Sequence, residues 1–429
     1  MTENFNYCDP VTVKEECHLA AIERQSSWSM EIRCVENAMV FPWSIDYGIY
    51  SGEVVQQNGE IVFDACSSSI YPKERWTSEV SENIVEGNEI IYIGAVNPCW
   101  GHYITDGMCK LWCLESPLFK KLIARGVPVC FVSAYMSVDK ISMSWRHLVD
   151  LLGGENVKIL PIKTATRYKR VWIPTSSIRI KNSEEGRFYT KEYRDIIIKL
   201  RERALEKANN KYPIFDRIYL SRTKLDNGGH TEFGERQIER AFQQAGFHII
   251  YPEKLSFEQQ VCLLYNAKSV AATMGSISHN FMFCKQGTDA IILRKAWYSN
   301  NFQYIANQLA DISATYIDCH LSVFVTNAPH LGPFYIYVNE NVQRFFRDRY
   351  ALRLRDGFNR RLFTGYAMLC MQRGDFCQRY VTSTYYFVKM ADVLKTHQGG
   401  AKKLYRLVLS LFAGKTKRYI LQISSYFMR

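Results

Sequence analysis

The chain has 429 residues, a hydrophobic fraction of 47% and a formal net charge of +12. The hydrophobic fraction excludes a largely disordered chain, and the length exceeds what one hydrophobic core usually serves. No run of 18 apolar residues appears, which argues against a transmembrane helix.

The first part of the chain predicts short strands, followed by strands and helices in alternation. Short strands separated by turns are expected over 36–66. From residue 88, the expected strands are 90–93, 127–132, 157–160 and 171–173, with helices at 102–124 and 142–152. Such alternation is typical of parallel strands covered by helices. A long polar helix, 187–209, then leads out of this part.

A second alternating part begins at residue 217. The expected strands are 217–220, 247–251, 269–273, 290–293 and 315–317. The expected helices are 233–245, 256–266, a short one from about 277, and 301–310. This pattern is typical of an open nucleotide-binding sheet, whose ligands lie beyond the carboxyl ends of the strands. We therefore predict an N-terminal domain over 1–205, a C-terminal domain over 206–335 and an extension over 336–429.

The extension is strongly basic and helical in pattern. Residues 341–429 contain 18 Lys and Arg against 4 Asp and Glu, so they hold all the excess positive charge of the chain. Apolar residues at 404, 407, 408 and 411 line one helix face beside lysines and arginines. Such a helix can lie in an anionic membrane interface. It can equally pack on the protein's own core and leave its basic face in solvent.

Cysteine usage and the N-terminus predict a cytoplasmic protein. No basic segment followed by an apolar stretch opens the chain, and no Asn-x-Ser/Thr sequon occurs. The 13 cysteines are scattered without a framework, as expected of reduced and mostly buried thiols. Cys109 and Cys113 could ligate a metal from one helix face, but no second pair has zinc-finger spacing.

The stretch 97–114 contains a His and an Asp that could carry chemistry. On a helix, His102 and Asp106 are four residues apart and share a face. At the end of a strand, the Asp can remove a proton from an acceptor hydroxyl while the His orients or tunes it. Alternatively, the His bonds to the backbone and the Asp is simply favoured near the positive end of the helix.

The stretch 218–230 places polar side chains just after a predicted strand. Arg222 offers a planar fork and Lys224 a point charge, which together suit a diphosphate. Ser221 precedes them, and Gly228 and Gly229 permit close backbone approach. The alternative is a surface Ser-Arg pair with ordinary salt-bridge partners.

The stretch 270–295 runs from a strand into a predicted helix start near residue 277. Free backbone N–H groups and the helix dipole there favour an anion. Its glycine and side-chain donors are Gly275, Ser276, Ser278, His279 and Asn280. An ordinary N-cap has similar residues, so this stretch alone does not establish a site.

Together, these stretches resemble glycosyltransferase family 61 over about 88–295. The first motif is matched by Gly101, His102 and Asp106, and the second by residues 219–222. The third is matched by residues 252–256 with Gln260, and the fourth by residues 274–280. The fourth motif departs from the family pattern, because Met274 stands where the family has His and Ile277 where it has Gly.

The resemblance implies an α/β, GT-B-like architecture of two facing Rossmann-like domains, the C-terminal one binding the donor nucleotide. It implies inversion at the anomeric carbon. Asp106 is then the candidate base, and His102 is its neighbour or an acceptor-binding group. The residues that would bind the donor diphosphate are Ser221, Arg222, Lys224, Glu253, Gln260, Gly275, Ser276, Ser278, His279 and Asn280. No Asp-x-Asp motif occurs, so we expect no metal and no other cofactor.

The expected reaction moves a sugar from a UDP-sugar to a hydroxyl of a glycan or lipid-linked glycan, in the synthesis of a surface polysaccharide such as a capsule. The basic extension would rest on the inner face of the membrane. One alternative is a sugar-nucleotide- or glycan-binding protein without turnover, which the altered fourth motif keeps open. A phosphoester hydrolase using His102 and Asp106 is a second. Nucleic-acid binding is suggested only by the basic charge, without a reading motif, so we expect no nucleic-acid partner.

Overall fold

The computed structural model describes residues 3–42, 52–65, 85–133, 142–182, 185–208, 212–225, 232–298, 300–322 and 331–372. The fold is mixed α/β, as predicted. The chain divides into two compact units. Unit 1 comprises Met1–Leu225, Glu239–Arg294 and Ser299–Ile317. Unit 2 comprises Asp226–Ile238, Lys295–Tyr298 and Asp318–Arg429.

The elements of the first half are, in chain order, β1 (Glu3–Tyr7), α1 (Pro10–Ala20), β2 (Ile32–Val40), β3 (Val54–Val55), β4 (Val85–Val96), α2 (Trp100–Tyr103), α3 (Pro117–Ala124), β5 (Val129–Ser133), α4 (Met143–Leu151), β6 (Ile159–Pro161), β7 (Thr166–Pro174), β8 (Ile178–Asn182), β9 (Gly186–Tyr189) and α5 (Lys191–Ala208).

The elements of the second half are β10 (Arg217–Leu220), β11 (Glu232–Phe233), α6 (Glu235–Gln244), β12 (His248–Ile250), α7 (Phe257–Asn266), β13 (Ser269–Thr273), α8 (Ser276–His279), β14 (Asp289–Arg294), α9 (Asn301–Ala310), β15 (Ser313–Asp318), β16 (Phe334–Tyr335), α10 (Glu340–Tyr350) and α11 (Arg360–Gln372).

The first sheet has the strand order β3-β2-β7-β4-β5-β6 within the described residues. Strands β7, β4, β5 and β6 run parallel to one another, as the alternating pattern predicts. Strand β2 is antiparallel to both β7 and β3, which the sequence pattern did not reveal. Apolar side chains of β4 and β7, among them Ile90 and Val171, are fully or almost fully buried in its core.

The second sheet has the order β1-β15-β14-β13-β10-β12 within the described residues. The five predicted strands are all present, and β10 pairs in parallel with both β12 and β13. Counted from β10, the chain order across the sheet is 2-1-3-4-5. In a doubly wound sheet of this order, the second strand is added on one side of the first strand and the third strand on the other side. Ligands bind at this switch point, between the first and third strands. Here that crevice lies between β10 and β13.

The N-terminal strand belongs to the second sheet, not the first. Strand β1 pairs in parallel with β15, with Glu3 opposite Ala314. Helix α1 is fixed by Glu16, which forms a fully buried ion pair with Arg294 and accepts a hydrogen bond from Tyr304. Periodicity predicts elements but not which distant strands pair. The pairing of β1 with a strand of the second sheet was therefore not predicted when the first domain was drawn as 1–205.

The expected single helix over 102–124 is wrong. The chain instead forms α2, two 3₁₀ turns (Asp106–Met108 and Leu111–Glu115) and α3. Gly107 lies against Trp145, whose indole N–H donates to the Gly107 carbonyl at 3.2 Å, and a Cβ at 107 would meet that ring. Pro117 opens α3, where its missing N–H is tolerated.

The break in this helix also bears on Cys109 and Cys113, which do not share a face of one helix as predicted. Both thiols are buried, and burial raises the pKa of Cys109 to about 11. Burial also raises the pKa of Cys113. These are properties of core thiols, since a metal ligand must be a thiolate.

Unit 2 contains the described part of the extension. Strands β11 and β16 pair in parallel, and α11 packs on them through an aromatic cluster that includes Tyr335, Phe363 and Tyr366. Helix α10 buries Phe345 and Phe346. Residues 341–372 thus contribute to a core, whereas the basic helix predicted around 402–418 lies outside the described residues. None of the described helices has the length and hydropathy needed to cross a bilayer.

We predict that Glu3→Gln makes the docking of β1 independent of pH. Burial raises the pKa of Glu3 from 4.5 to about 7, although Asn307 and Tyr316 donate hydrogen bonds to its carboxylate. Between these values the folded state holds more protons than the unfolded state, so this group lowers stability as the pH rises. The variant is therefore expected to gain free energy of unfolding, relative to wild type, from pH 4.5 to pH 8.

Urea denaturation at the two pH values measures this difference. Glu202→Gln, which removes one exposed carboxylate from α5, is the control for the loss of a charge. An equal difference between Glu3→Gln and wild type at both pH values would contradict the prediction.

Candidate active site

The candidate site lies where the carboxyl edges of the two sheets of unit 1 meet. Helix α2 follows β4 of the first sheet, and α8 follows β13 of the second. The two helix starts are in contact: a Cβ at Gly101 would lie 2.3 Å from the Ser276 Oγ. Only glycine permits this approach, because any side chain at 101 would occupy the space of Ser276.

Two side-chain bonds hold the adjoining segments in place. The Trp100 indole N–H donates to Asn280 Oδ1 at 3.0 Å, which joins α2 to the end of α8. The Asn280 amide then donates to the Ile277 carbonyl at 3.1 Å. Asn280 was predicted to bind the donor; the structure buries it and gives it partners on both helices.

His102 and Asp106 form a hydrogen-bonded pair. The His102 Nδ1 lies 2.9 Å from Asp106 Oδ2. They meet although α2 ends at Tyr103, because the 3₁₀ turn that begins at Asp106 brings the carboxylate back toward the ring. The His102 side chain is 40% exposed and that of Asp106 only 7%. The carboxylate therefore lies behind the imidazole, and the ring presents its other nitrogen toward solvent.

The turn after β13 depends on Gly275 and Ser278. Gly275 has φ 134° and ψ −155°, a region that side chains exclude. The buried Ser278 hydroxyl accepts from the Gly275 N–H at 3.1 Å and donates to Gln303 at 2.6 Å. These two predicted donor-binding residues shape the turn. Helix α8 has only four residues, so the macrodipole expected at its start is that of a single turn.

His279 is held as a neutral imidazole. Its Nε2 lies 3.0 Å from the Asn300 amide nitrogen, and its Nδ1 is buried without a hydrogen-bond partner among the described residues. Burial, together with the nearby positive charges of His102 and Arg187, lowers the pKa of His279 to about 3. With Nε2 accepting from the Asn300 amide, Nδ1 carries the proton and is a donor available to a ligand.

The loop after β10 is organised by Glu239 of α6. One carboxylate oxygen accepts from Ser221 at 2.7 Å and from Thr223 at 2.6 Å. The other accepts from the Tyr251 hydroxyl at 3.2 Å. The predicted donor-binding residue Ser221 is fully buried, so its hydroxyl fixes the loop. Sequence reasoning missed Glu239, because nothing in the local pattern of α6 distinguishes it from other helix carboxylates.

Arg222 and Lys224, the cations predicted to bind the diphosphate, lie in this loop. Arg222 is half-buried, while Lys224 is exposed with its ammonium 4.0 Å from the centroid of the Tyr251 ring. They leave β10 next to β13, where Leu220 is paired with Ala272. Gly228 and Gly229 lie outside the described residues.

The third motif builds the turn after β12 and the start of α7. The Gln260 amide donates to the carbonyls of Pro252 and Leu255, at 3.0 and 3.2 Å. Ser256 and Gln259 form a capping box at the start of α7. Glu253 is exposed at this turn. Gln260 thus has a structural role here, which the motif did not reveal.

Met274 and Ile277, which depart from the family pattern, are buried apolar residues at 2% and 7% exposure. The donors near them come from His279 and the hydroxyl of Ser276. Among the described residues, no group of three or more His, Cys, Asp or Glu side chains is placed to hold a metal ion.

Residues 100–291 match the model of the family Glycosyltransferase 61, which is slightly less than half of the chain. The match confirms the resemblance inferred from the motifs, and it begins at α2 and ends within β14. It implies a glycosyltransferase, with a sugar donor and a glycan acceptor. A comparison with curated proteins finds no match to the chain.

We predict that Gly101→Ala destabilises unit 1 and that Ser276→Gly relieves this effect. The added methyl would lie 2.3 Å from Oγ and 2.8 Å from Cβ of Ser276, and overpacking of this kind costs about 1–3 kcal/mol. Removing the Ser276 side chain leaves room for the methyl, so the double variant should recover most of the loss. Chemical denaturation of the four proteins completes the cycle. Additive effects of the two changes would contradict the contact.

Proposed function

Starting from the match to glycosyltransferase family 61, we propose that this protein is an inverting glycosyltransferase that takes a nucleotide sugar as donor. The observation that carries the proposal is the contact of α2 with α8. It brings the pair of His102 and Asp106 from one sheet next to His279 from the other. A proton acceptor and donors for an anion are the two parts that such a transfer needs.

The difference in burial between His102 and Asp106 supports the following roles. His102 Nε2 is the accessible nitrogen and removes the proton from the acceptor hydroxyl. The acceptor oxygen attacks the anomeric carbon, and the bond from that carbon to the diphosphate breaks on the opposite side. Asp106 accepts from Nδ1, which fixes the tautomer and stabilises the imidazolium that forms. From the sequence, Asp106 was predicted to be the base, and the position of its carboxylate behind the ring favours the exchanged roles.

Arg222, His279 and the hydroxyl of Ser276 would stabilise the departing diphosphate. Arg222 supplies positive charge at the crevice between β10 and β13, and His279 a neutral N–H donor. Lys224 lies in the same loop as Arg222 and would join these donors by moving off the Tyr251 ring. Fixed donors aimed at the leaving group lower the barrier because they need no reorganisation during the reaction. We propose that the reaction needs no metal ion.

The finer features of the proposal come from the resemblance. They are a GT-B arrangement of acceptor and donor domains, a UDP-sugar as donor, and a hexosyl or pentosyl group as the transferred sugar. A hydroxyl of a glycan or lipid-linked glycan would accept it, in the synthesis of a surface polysaccharide such as a capsule. The basic extension would hold the enzyme on the inner face of a membrane.

A second candidate is a protein that binds the nucleotide sugar without turnover. The burial of Met274 and Ile277 at the altered motif is the observation that favours it. The hydrogen-bonded pair of His102 and Asp106 favours an enzyme over a protein that only binds the nucleotide sugar.

We expect one nucleoside diphosphate, UDP by preference, to stabilise the protein against heat, with the stabilisation retained in excess chelator. At about 100 times the dissociation constant, the free energy of unfolding should rise by about 2.7 kcal/mol. Arg222→Ala should abolish the shift, whereas Arg240→Ala, which removes an exposed arginine from α6, should retain it. A thermal-shift screen with UDP, ADP, GDP and CDP measures this. Absence of a shift with all four would refute the donor site, and a shift that requires metal would refute metal independence.

We predict that His102→Ala lowers the rate of hydrolysis of the nucleotide sugar by about 10²–10⁴-fold, because water then loses its proton acceptor. Added imidazole should partly restore His102→Ala, since Asp106 remains to orient it, but should not restore the double variant that also carries Asp106→Asn. Release of nucleoside diphosphate reports the rate. Restoration of Asp106→Gly by formate, together with failure of imidazole, would assign the base to Asp106 instead.

A further inference from the structure

One arginine near the site has no counter-ion among the described residues and was not singled out by any motif. Arg187 lies on β9, in the hairpin that β8 and β9 form between the two alternating parts of the chain. Its side chain is half-buried, and its Nε is buried without a hydrogen-bond partner among the described residues. No carboxylate in the described part of the chain forms an ion pair with it.

The hairpin reaches the candidate site through α9. A Cβ at Gly186 would lie 2.3 Å from the Asn301 amide nitrogen, so β9 packs closely on the first residue of α9. The preceding residue, Asn300, is the one that holds His279 Nε2 at 3.0 Å. The positive charges of Arg187 and His102 lower the pKa of His279, and the negative charge of Asp106 raises it. Arg187 and His279 therefore belong to one cluster.

Within the described part of the chain, two buried polar atoms of this cluster lack hydrogen-bond partners, the Arg187 Nε and the His279 Nδ1. Leaving a guanidinium half-buried without an anion is unfavourable, because its desolvation is not offset by a charge partner. A neutral His279 beside it avoids repulsion and adds a hydrogen-bond donor. A planar guanidinium with several N–H donors suits a phosphate oxygen pair. The cluster has the chemistry of an anion site that is completed by its ligand.

We propose that Arg187, together with His279, binds the diphosphate of the nucleotide-sugar donor. The inference rests on the proposed function for the identity of the ligand. Arg187 then supplies, from the first half of the chain, a cation in addition to Arg222. Donor binding then depends on both alternating parts of unit 1.

Titration of the full-length protein with inorganic pyrophosphate and, separately, with UDP tests the inference. Arg187→Gln should lower the affinity for both by about tenfold or more, the effect of losing a charge-assisted hydrogen bond. Its melting temperature without ligand should be equal to or above that of wild type, because an uncompensated cation is removed. A purely structural arginine would instead lower the melting temperature and leave the affinity unchanged.

Lys181→Gln is the matched control, since it removes an exposed, ion-paired cation from the same hairpin and should keep the wild-type affinity. Arg187→Lys keeps the charge without the planar fork, so we expect an intermediate affinity; it also serves if Arg187→Gln does not fold. Equal affinity of wild type and both Arg187 variants for UDP would overturn the role of Arg187 and leave the proposed function standing. Loss of pyrophosphate binding in Arg187→Gln, with no nucleotide bound by wild type, would support the anion site and refute the function. Absence of binding by wild type to either probe would overturn both.

Discussion

The close approach of Gly101 to Ser276 is the constraint on which the candidate site depends. The two sheets of unit 1 supply different parts of the chemistry, one the pair of His102 and Asp106 and the other the turn that carries His279. These parts are useful only if the carboxyl edges of both sheets come within a few ångströms of each other. A glycine at the start of α2 allows this, and the bond from Trp100 to Asn280 fixes the two helices in register.

The charged and neutral groups around this contact differ between its two sides. His102, the proposed base, is accessible and its carboxylate partner Asp106 is buried behind it, so the charge that orients the ring would be kept away from the proposed donor. On the facing side, His279 is held neutral and Arg187 lacks a carboxylate partner among the described residues. An acid next to Arg187 would neutralise the cation before a diphosphate arrived. The absence of such a partner in the described part of the chain is therefore consistent with a site that is completed by its ligand.

Local patterns predicted much of this arrangement. The strands of the second sheet follow from apolar runs bounded by turns, and the loops after β10 and β13 are where a doubly wound sheet places its ligands. The periodicity did not predict that 102–124 would break into short turns, because Gly107 acts through its contact with the distant Trp145. Glu239 and Arg187 were missed for a related reason. Each has its role only through packing of segments that are far apart in sequence.

The pairing of β1 with β15 has a consequence for biosynthesis. Glu3 and Asn307, which are hydrogen-bonded, lie 304 residues apart, so β1 leaves the ribosome long before its partner strand is made. Until then, the nascent chain carries an unpaired strand, and β15 offers an open sheet edge as soon as it is made. Long-range closure of this kind is slow compared with local folding. Docking of β1 and α1 therefore covers a free sheet edge and completes the buried ion pair of Glu16 with Arg294.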